Sequence, residues 1–157
     1  MSAQASELAA IVEFVRGILA AIPGVGHAYG WQPVALKPGD IPGTMQVGAL
    51  INYWTVVCES TTEAWLTNES VLLTHDLVLR GYQQVVTPAT DDPAFQALTS
   101  QVADTLRPRY TVPGATTAEL LGPAHTVARG QHRLLADTWL VHFAELRLRA
   151  TERVTLA

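Results

Sequence analysis

The sequence predicts an α+β domain in which two helices pack on an antiparallel or mixed β-sheet that includes a long projecting β-hairpin. Apolar residues recur at helical spacing in two separate segments, and long runs of β-forming residues lie between and after them. The order helix, strands, helix, strands is typical of the α+β class. The 157 residues fit one domain over 1–157, with no internal repeat.

The first predicted helix covers residues 6–22. Seven apolar residues recur every three or four positions and make one stripe: Leu8, Ile11, Val12, Val15, Ile18, Leu19 and Ile22. Pro23 and Gly24 end the helix. A helix lying on a membrane surface would be rich in Lys and Arg, whereas this one has only Arg16. It is therefore expected to pack on the sheet.

Extended structure is predicted for most of the next segment. Residues 28–36 form a short strand, and two Pro-Gly steps predict a loop over 37–43. Residues 44–60 are apolar on both faces, as in a central strand covered on both sides. They are predicted to pair with 71–86 in a long antiparallel hairpin, and the polar segment 61–70 is expected to be a loop that projects from the body.

The second predicted helix starts at Asp92, a natural N-cap, with Pro93 at the first helical position. Its buried stripe consists of four apolar residues at helical spacing: Phe95, Leu98, Val102 and Leu106. Pro108 ends it, because proline cannot continue a helix.

The C-terminal third is predicted to be a loop followed by strands. Residues 108–118 form the loop, a strand lies around 125–128, and a turn lies near Gly130. The long final strand is apolar on both faces at first and charged on one face towards Arg149. This change predicts that one end lies inside the fold and the other lies in solvent or at a subunit contact.

The composition favours a protein that assembles. It is 48% hydrophobic and 15% charged, against roughly 25% charged in an ordinary soluble domain. Oligomerisation would cover the surplus apolar surface, although a thick core with an ordinary polar surface is the alternative. The net charge of −4 and the single lysine, Lys37, argue against a dedicated nucleic-acid binder.

No cofactor, catalytic residue or metal site is expected. The glycines at 24, 26 and 30 follow a helix rather than a strand, which does not fit a phosphate-binding loop. No two of the five histidines have the spacing of a zinc-binding helix, and there is one cysteine. His142 alternates with leucines and is expected to be a core or interface histidine.

Other reactive residues also have structural interpretations. Asp91 and Asp92 precede Pro93, which favours helix capping over a catalytic carboxylate pair. Cys58, within a predicted strand, is expected to be a small buried hydrophobe. The N-terminal apolar stretch is interrupted by glutamates, so no signal peptide is expected. No apolar run approaches the roughly 20 residues that span a bilayer, so the chain is expected to be made in a cytoplasm.

Four segments, taken in order, carry a resemblance to a known family. They are residues 21–26 (Ala-Ile-Pro-Gly-Val-Gly), 51–54 (Ile-Asn-Tyr-Trp) leading to 60–61, 75–82 (His-Asp-Leu-Val-Leu-Arg-Gly-Tyr) with 92 and 95–98, and 122–123 followed by 140–148 and 152. In their order and spacing the chain resembles the small siphophage and prophage neck proteins, the tail terminators and tail-completion proteins. The segment 83–90 departs from the compact or glycine-rich loop of that family.

This resemblance implies an α+β virion structural protein without enzymatic activity or cofactor. Subunits of such proteins form a ring, commonly a hexamer, at the head-proximal end of the tail tube. The ring ends tube polymerisation and joins the tail to the head connector. The implied partners are therefore further copies of the chain, the tail tube protein and the head–tail connector proteins. DNA would pass through the lumen without specific binding, and no membrane is involved.

The expected interface residues are the tryptophans and one arginine, because these residue types dominate binding hot spots: Trp31, Trp54, Trp65, Trp139 and Arg149. Arg147, Arg149 and Arg153 make a small basic stripe. Its first interpretation is a solvated strand face, its second is a contact with acidic residues of a neighbouring subunit, and its third is a nucleic-acid patch.

Three alternatives stay open. The nearest is another neck protein, a head–tail connector or stopper, or a tail-completion protein that docks without ending the tube. The second is a small-molecule-binding or enzymatic α+β domain, with His and Trp residues lining a deep pocket. The third is a bacterial accessory protein such as a component of a toxin system.

Overall fold

The computed structural model describes residues 6–34 and 42–156. The predicted loop over 37–43 therefore lies mostly outside the described residues. The described residues contain two α-helices, a short 3₁₀ helix at Gly43–Met45 and seven strands, in this order: α1 (Leu8–Ala20), β1 (His27–Tyr29), β2 (Gln46–Val47), β3 (Leu50–Thr67), β4 (Ser70–Gln84), α2 (Pro88–Thr105), β5 (Tyr110–Thr111), β6 (Glu119–Leu135) and β7 (Trp139–Thr155).

The strands form one mixed, curled sheet in the order β1-β3-β4-β7-β6-β5, with β2 paired to β3. Only β1 runs parallel to its neighbour, and the other pairs are antiparallel. Both helices contribute to the same core on one face of the sheet. The predicted α+β class, with two helices on a mixed sheet, is confirmed. No helix in the described ranges is long and apolar enough to cross a lipid bilayer.

The two helices pack through their predicted stripes. In α1, Ile11, Val15 and Leu19 are fully buried, and in α2 the buried residues include Phe95 and Val102. The core also contains Trp54, whose indole ring lies so close to β4 that a Cβ added at Gly81 would come within 2.3 Å of it. The absence of a side chain at Gly81 therefore makes room for the tryptophan.

The predicted start of α2 was wrong. The helix begins at Pro88, with Thr87 as N-cap residue, and Pro93 lies inside it. Pro88 and Pro93 are each compatible with the first position of a helix. The capping interactions determine at which of the two the helix begins. The Asp91 carboxylate accepts hydrogen bonds from the backbone N–H groups of Val86 (2.6 Å) and Thr87 (2.7 Å), which closes the first turn earlier.

The predicted loop over 61–70 was also wrong, because β3 continues to Thr67 and turns through Asn68 and Glu69. Threonine is β-branched and suits a strand even where the surface is polar. A projecting hairpin is not confirmed, because β4 pairs with β7 from Ser70 to Gln84. The two strands of the hairpin and their antiparallel pairing are confirmed.

Smaller differences lie near the other turns. Within its described part, 28–34, the strand predicted over 28–36 is limited to β1, and residues 35–36 lie outside the described residues. A turn separates β2 from β3. The turn predicted near Gly130 was wrong: Gly130 has φ +67° and lies at a register shift inside β6. The chain turns instead at Ala136 and Asp137, which have φ +52° and +59°. The loop predicted over 108–118 contains the short strand β5.

The change of character along the final strand is confirmed. Near its start, residues 141–144 are buried on both faces, since a second small core of Met45, Ile51 and Tyr53 covers the face away from the helices. Farther on, Leu146 and Leu148 are buried beneath the helices, whereas Arg147 and Arg149 are exposed on the other face. As far as the described residues show, both faces of the sheet are covered at one end and one face at the other.

Candidate functional site

Two long strands leave one side unpaired. β1 pairs with β3 no further than Thr55, so residues 56–67 have no strand partner on that side within the described ranges. β5 pairs with β6 only at Glu119 and Leu120, so, among the described residues, 121–135 also have no strand partner on that side. We call these segments the β3 edge (56–67) and the β6 edge (121–135). Backbone N–H and C=O groups along such edges can pair with a further strand, except at Pro123, which has no N–H group, and near Gly122, where the Arg107 carbonyl approaches the edge.

The two edges carry opposite charge. The β3 edge contains Glu59 and Glu63 and no basic residue, whereas the β6 edge contains Arg129 and Arg133 and no acidic residue. All four side chains belong to exposed residues. The strands between the edges alternate in direction, so β6 runs opposite to β3. The β6 edge of one copy would therefore meet the β3 edge of an identically oriented copy in antiparallel fashion.

Exposed apolar side chains lie at both ends of the sheet. Beside the β3–β4 turn, Trp65 is 69% exposed and Leu66 is 49% exposed; we call this pair the hairpin patch. At the other end of β4 lies a second group, the opposite patch, which consists of Val47, Leu50, Val86, Leu134 and Leu140. The two patches differ in composition and lie at opposite ends of the sheet.

Three of the expected interface residues lie at the surface. Trp31 is half exposed and packs on Tyr29, with ring centroids 4.9 Å apart. Trp65 belongs to the hairpin patch. The Arg149 side chain is 63% exposed and lies 3.4 Å from the Asp76 carboxylate. These three side chains remain candidates for an interface.

The remaining two tryptophans are less accessible. Trp54 is fully buried in the main core, where it packs near Phe95 with centroids 6.3 Å apart. The expectation that Trp54 contacts a partner was wrong, because a strand apolar on both faces does not reveal which face the helices cover. Trp139 is partly buried and packs against the second core. Cys58, expected to be buried, is only half-buried.

The basic stripe is part of a charge-paired face, the side of the sheet away from the helices. Arg147 lies 3.3 Å from Glu59 and 3.7 Å from Glu145. Arg80 donates to Glu145 at 2.8 Å, and Arg149 pairs with Asp76. The charge-paired face thus combines three arginines with three acids from within one chain, namely Arg80, Arg147, Arg149, Glu59, Asp76 and Glu145.

An open groove of about 520 Å³ lies where β6 and β7 separate near Gly122 and Pro123. Asp76, His125 and Arg147 are among the residues that line it. Its carboxylate and arginines already form ion pairs within the chain. The groove therefore has charged walls, but those charges are largely engaged with each other.

A buried polar network connects the start of α1 to the sheet. His75 and Glu152 have side chains that are each 1% exposed, and His75 Nε2 lies 3.1 Å from Glu152 Oε1. The Thr61 hydroxyl lies 2.8 Å from His75 Nδ1. Ser6 and the backbone N–H of Glu7 donate to the same carboxylate at 2.5 and 2.8 Å. The network satisfies a buried carboxylate and attaches the helix start to β7.

A second cluster joins α2 to the β6–β7 hairpin. Asp92 Oδ1 lies 2.9 Å from His132 Nε2 and 3.1 Å from His142 Nδ1. His132 and His142 are direct cross-strand partners, with ring centroids 5.0 Å apart. Burial lowers the pKa of His142, and the nearby Asp92 carboxylate partly opposes this. The cluster has the residue types and spacing of a metal site.

Sequence reasoning missed both clusters. The search for metal ligands used helical and Cys/His spacings, whereas His132 and His142 are brought together by strand pairing across the turn at 136–137. The available signal is their near-symmetric placement about that turn. His75 and Glu152 are also linked through the pairing of β4 with β7.

Comparison with known proteins adds no family assignment. No protein-family model matches the chain. No curated protein matches it significantly.

Proposed function

We propose that copies of this chain join edge to edge into a closed ring, and that the ring is a tail terminator at the head-proximal end of a phage tail tube. The observation that carries the proposal is the pair of unpaired strand edges, opposite in charge and antiparallel in direction. Such a contact joins two different surfaces of the same chain, and it closes into a ring when the rotation allows. The role is structural, in a virion, and involves no bond-breaking chemistry.

The contact requires a stagger between neighbouring copies. Across β7 and β4, the strand pairing places Ala128 of β6 level with Thr55 of β3. Glu59 lies beyond Thr55 on the unpaired segment. A displacement of about four residues, or about 14 Å, would bring Glu59 of one copy, which also contacts Arg147 of its own chain, beside Arg129 of the next, so that the carboxylate would bridge two arginines. Closed barrels use this kind of stagger between strands.

The same arrangement accounts for the two faces of the sheet. The helices would lie on the outside of the ring, and the charge-paired face would line the lumen. Three of its arginines, Arg80, Arg147 and Arg149, are engaged by Glu59, Glu145 and Asp76 of the same chain. DNA is held by cations that neutralise its phosphates. A face on which these three arginines are already paired would hold DNA less tightly than a face of free arginines.

The ends of the ring would present the apolar patches. The hairpin patch lies at one end of the sheet and the opposite patch at the other. Such patches mark sites of protein contact. They would contact the tail tube protein on one side and the head–tail connector on the other.

Charge reversal at the edges tests the proposal. Size-exclusion chromatography with light scattering, at micromolar concentration, should show a closed oligomer for the wild type. Glu59→Lys with Glu63→Lys should yield monomers, and adding Arg129→Glu with Arg133→Glu should restore assembly. Glu13→Lys, on the exposed face of α1, is the matched control and should assemble like the wild type.

Addition of the protein to purified tail tubes separates the tail terminator from its nearest alternatives. A terminator stops further growth of the tube, whereas a connector, stopper or docking tail-completion protein joins the neck without setting tube length. A strict monomer that leaves tube length unchanged removes the proposal.

A further inference from the structure

The Asp92–His132–His142 cluster is not explained by ring assembly. Its three side chains come from α2, β6 and β7, and one ligand atom from each lies within 4.8 Å of the others. The imidazole of His142 is 1% exposed, whereas His132 and Asp92 reach the surface. The cluster is therefore a shallow site in which His142 is buried and the other two side chains are accessible to solvent.

The hydrogen bonding of His142 leaves one atom without a partner. Its Nδ1 faces Asp92, while its Nε2 is buried without a hydrogen-bond partner among the described residues. The nearest acidic oxygen, Asp91 Oδ2, lies 3.9 Å from Nε2. If Nδ1 carries the only ring proton and donates it to Asp92, the Nε2 lone pair points towards a carboxylate. This arrangement is unfavourable for a buried group.

We propose that Asp92, His132 and His142 bind a divalent transition-metal ion of the zinc type, through Asp92 Oδ1, His132 Nε2 and His142 Nδ1. Coordination at Nδ1 moves the ring proton to Nε2, where it faces Asp91. Metal-bound histidines usually donate their other N–H to a carboxylate. The orphaned nitrogen and the adjacent aspartates thus acquire a common explanation.

The distances can be compared with this chemistry. Zinc binds imidazole nitrogen and carboxylate oxygen at about 2.0–2.2 Å, so tetrahedral ligand atoms lie about 3.4 Å apart. The two separations from Asp92 Oδ1, 2.9 and 3.1 Å, need to widen by only a few tenths of an ångström. The ligand atoms of the two histidines lie within 4.8 Å of each other and would settle at the same spacing when the ion binds. Two imidazoles and one carboxylate leave the fourth position for water, at the exposed side of the site.

The ion would cross-link the first turns of α2 to the β6–β7 hairpin, whose β6 strand carries the unpaired edge. Because the ion would bind the folded chain and not the unfolded chain, the melting temperature should rise as the metal concentration rises. Metal binding would not depend on ring formation, because all three ligands belong to one chain.

The test uses untagged, chelator-treated full-length protein and titration with Zn²⁺ and Co²⁺ alone. We expect one ion per chain by calorimetry, visible absorption of Co²⁺ in a low-coordinate site, and a rise in melting temperature with Zn²⁺. His132→Ala, at an exposed position, should lower the affinity at least tenfold. Asp91→Asn, which alters the carboxylate behind His142, should lower it by about 10–100-fold.

The matched control is His125→Ala, because His125 is also exposed and on β6. This variant should bind like the wild type. Equal loss of affinity in the His125 and His132 variants would show nonspecific binding to surface histidines and would overturn the proposal. Failure of the folded wild type to bind either ion at 100 µM concentration (about 5.5 kcal/mol of binding free energy) would overturn it as well.

Discussion

Removal of the Glu152 carboxylate should destabilise the protein more than most single substitutions. The side chain is 1% exposed and accepts hydrogen bonds from the Ser6 hydroxyl, the Glu7 backbone N–H and His75 Nε2. Glu152→Ala leaves these donors without their acceptor. His75 is equally buried, so water cannot replace the lost bond there without opening the structure.

The magnitude follows from the burial of these groups. A hydrogen bond to a charged group contributes about 1.5–3 kcal/mol. The donors at Ser6 and Glu7 are nearer the surface and recover part of their loss by hydration. Breaking a buried pair by removing one partner costs about 3–5 kcal/mol, and we expect Glu152→Ala to fall within this range. Glu152→Gln keeps an acceptor for His75 and should cost less.

Urea denaturation at one fixed protein concentration provides the measurement. With a dependence of about 2 kcal/mol per molar urea, the midpoint of Glu152→Ala should fall by about 2 M. Hydrogen exchange should show the largest loss of protection at the start of α1. The Glu69→Ala variant, exposed in the β3–β4 turn and outside both edges, is the control and should unfold near the wild-type midpoint. A Glu152→Ala midpoint that matches this control would refute the reasoning.

Two further outcomes follow from local geometry. Gly81→Ala places a Cβ 2.3 Å from the Trp54 ring and should lower the free energy of unfolding by about 1–3 kcal/mol. Gly17→Ala has open space around the new methyl group and should stabilise α1 by about 0.5–1 kcal/mol. Equal urea midpoints for these two variants would contradict both expectations. Backbone hydrogen bonds lower the pKa of Asp91 from 3.8, so its stabilisation is present above that pH and is lost as pH falls through the lowered pKa. Asp91→Asn should therefore differ most from wild type near neutral pH, and a difference that grows in acid would refute this.

The helices show how far periodicity reaches. The spacing of Ile11, Val15 and Leu19 identified α1 and its buried face, because a helix repeats every 3.6 residues and one stripe must face the core. The same signal identified the body of α2. It did not determine where α2 begins, because Pro88 and Pro93 suit the same helical position and the carboxylate of Asp91 decides between them.

The strands show a different limit. Polar residues after Ser60 and the glycine at 130 suggested chain reversals, yet both segments are strands. Their strand conformation depends on pairing with β4 and β7 across the hairpin turns, and this pairing is not recorded in the residue pattern of either segment alone. Strand propensity is weaker than this tertiary context.

The sequence by itself determined the α+β class, the helical stripes, the antiparallel pairing of β3 with β4 and the change of character along β7, since each depends on residue patterns in one segment or in two neighbouring ones. Only the tertiary structure decided which strands remain unpaired, which tryptophan is buried and which histidines meet. Those properties depend on pairing between β6 and β7 and on where α2 lies on them. Folding brings Asp92 beside two histidines and leaves opposite charges on the two edges. No local sequence pattern records this proximity.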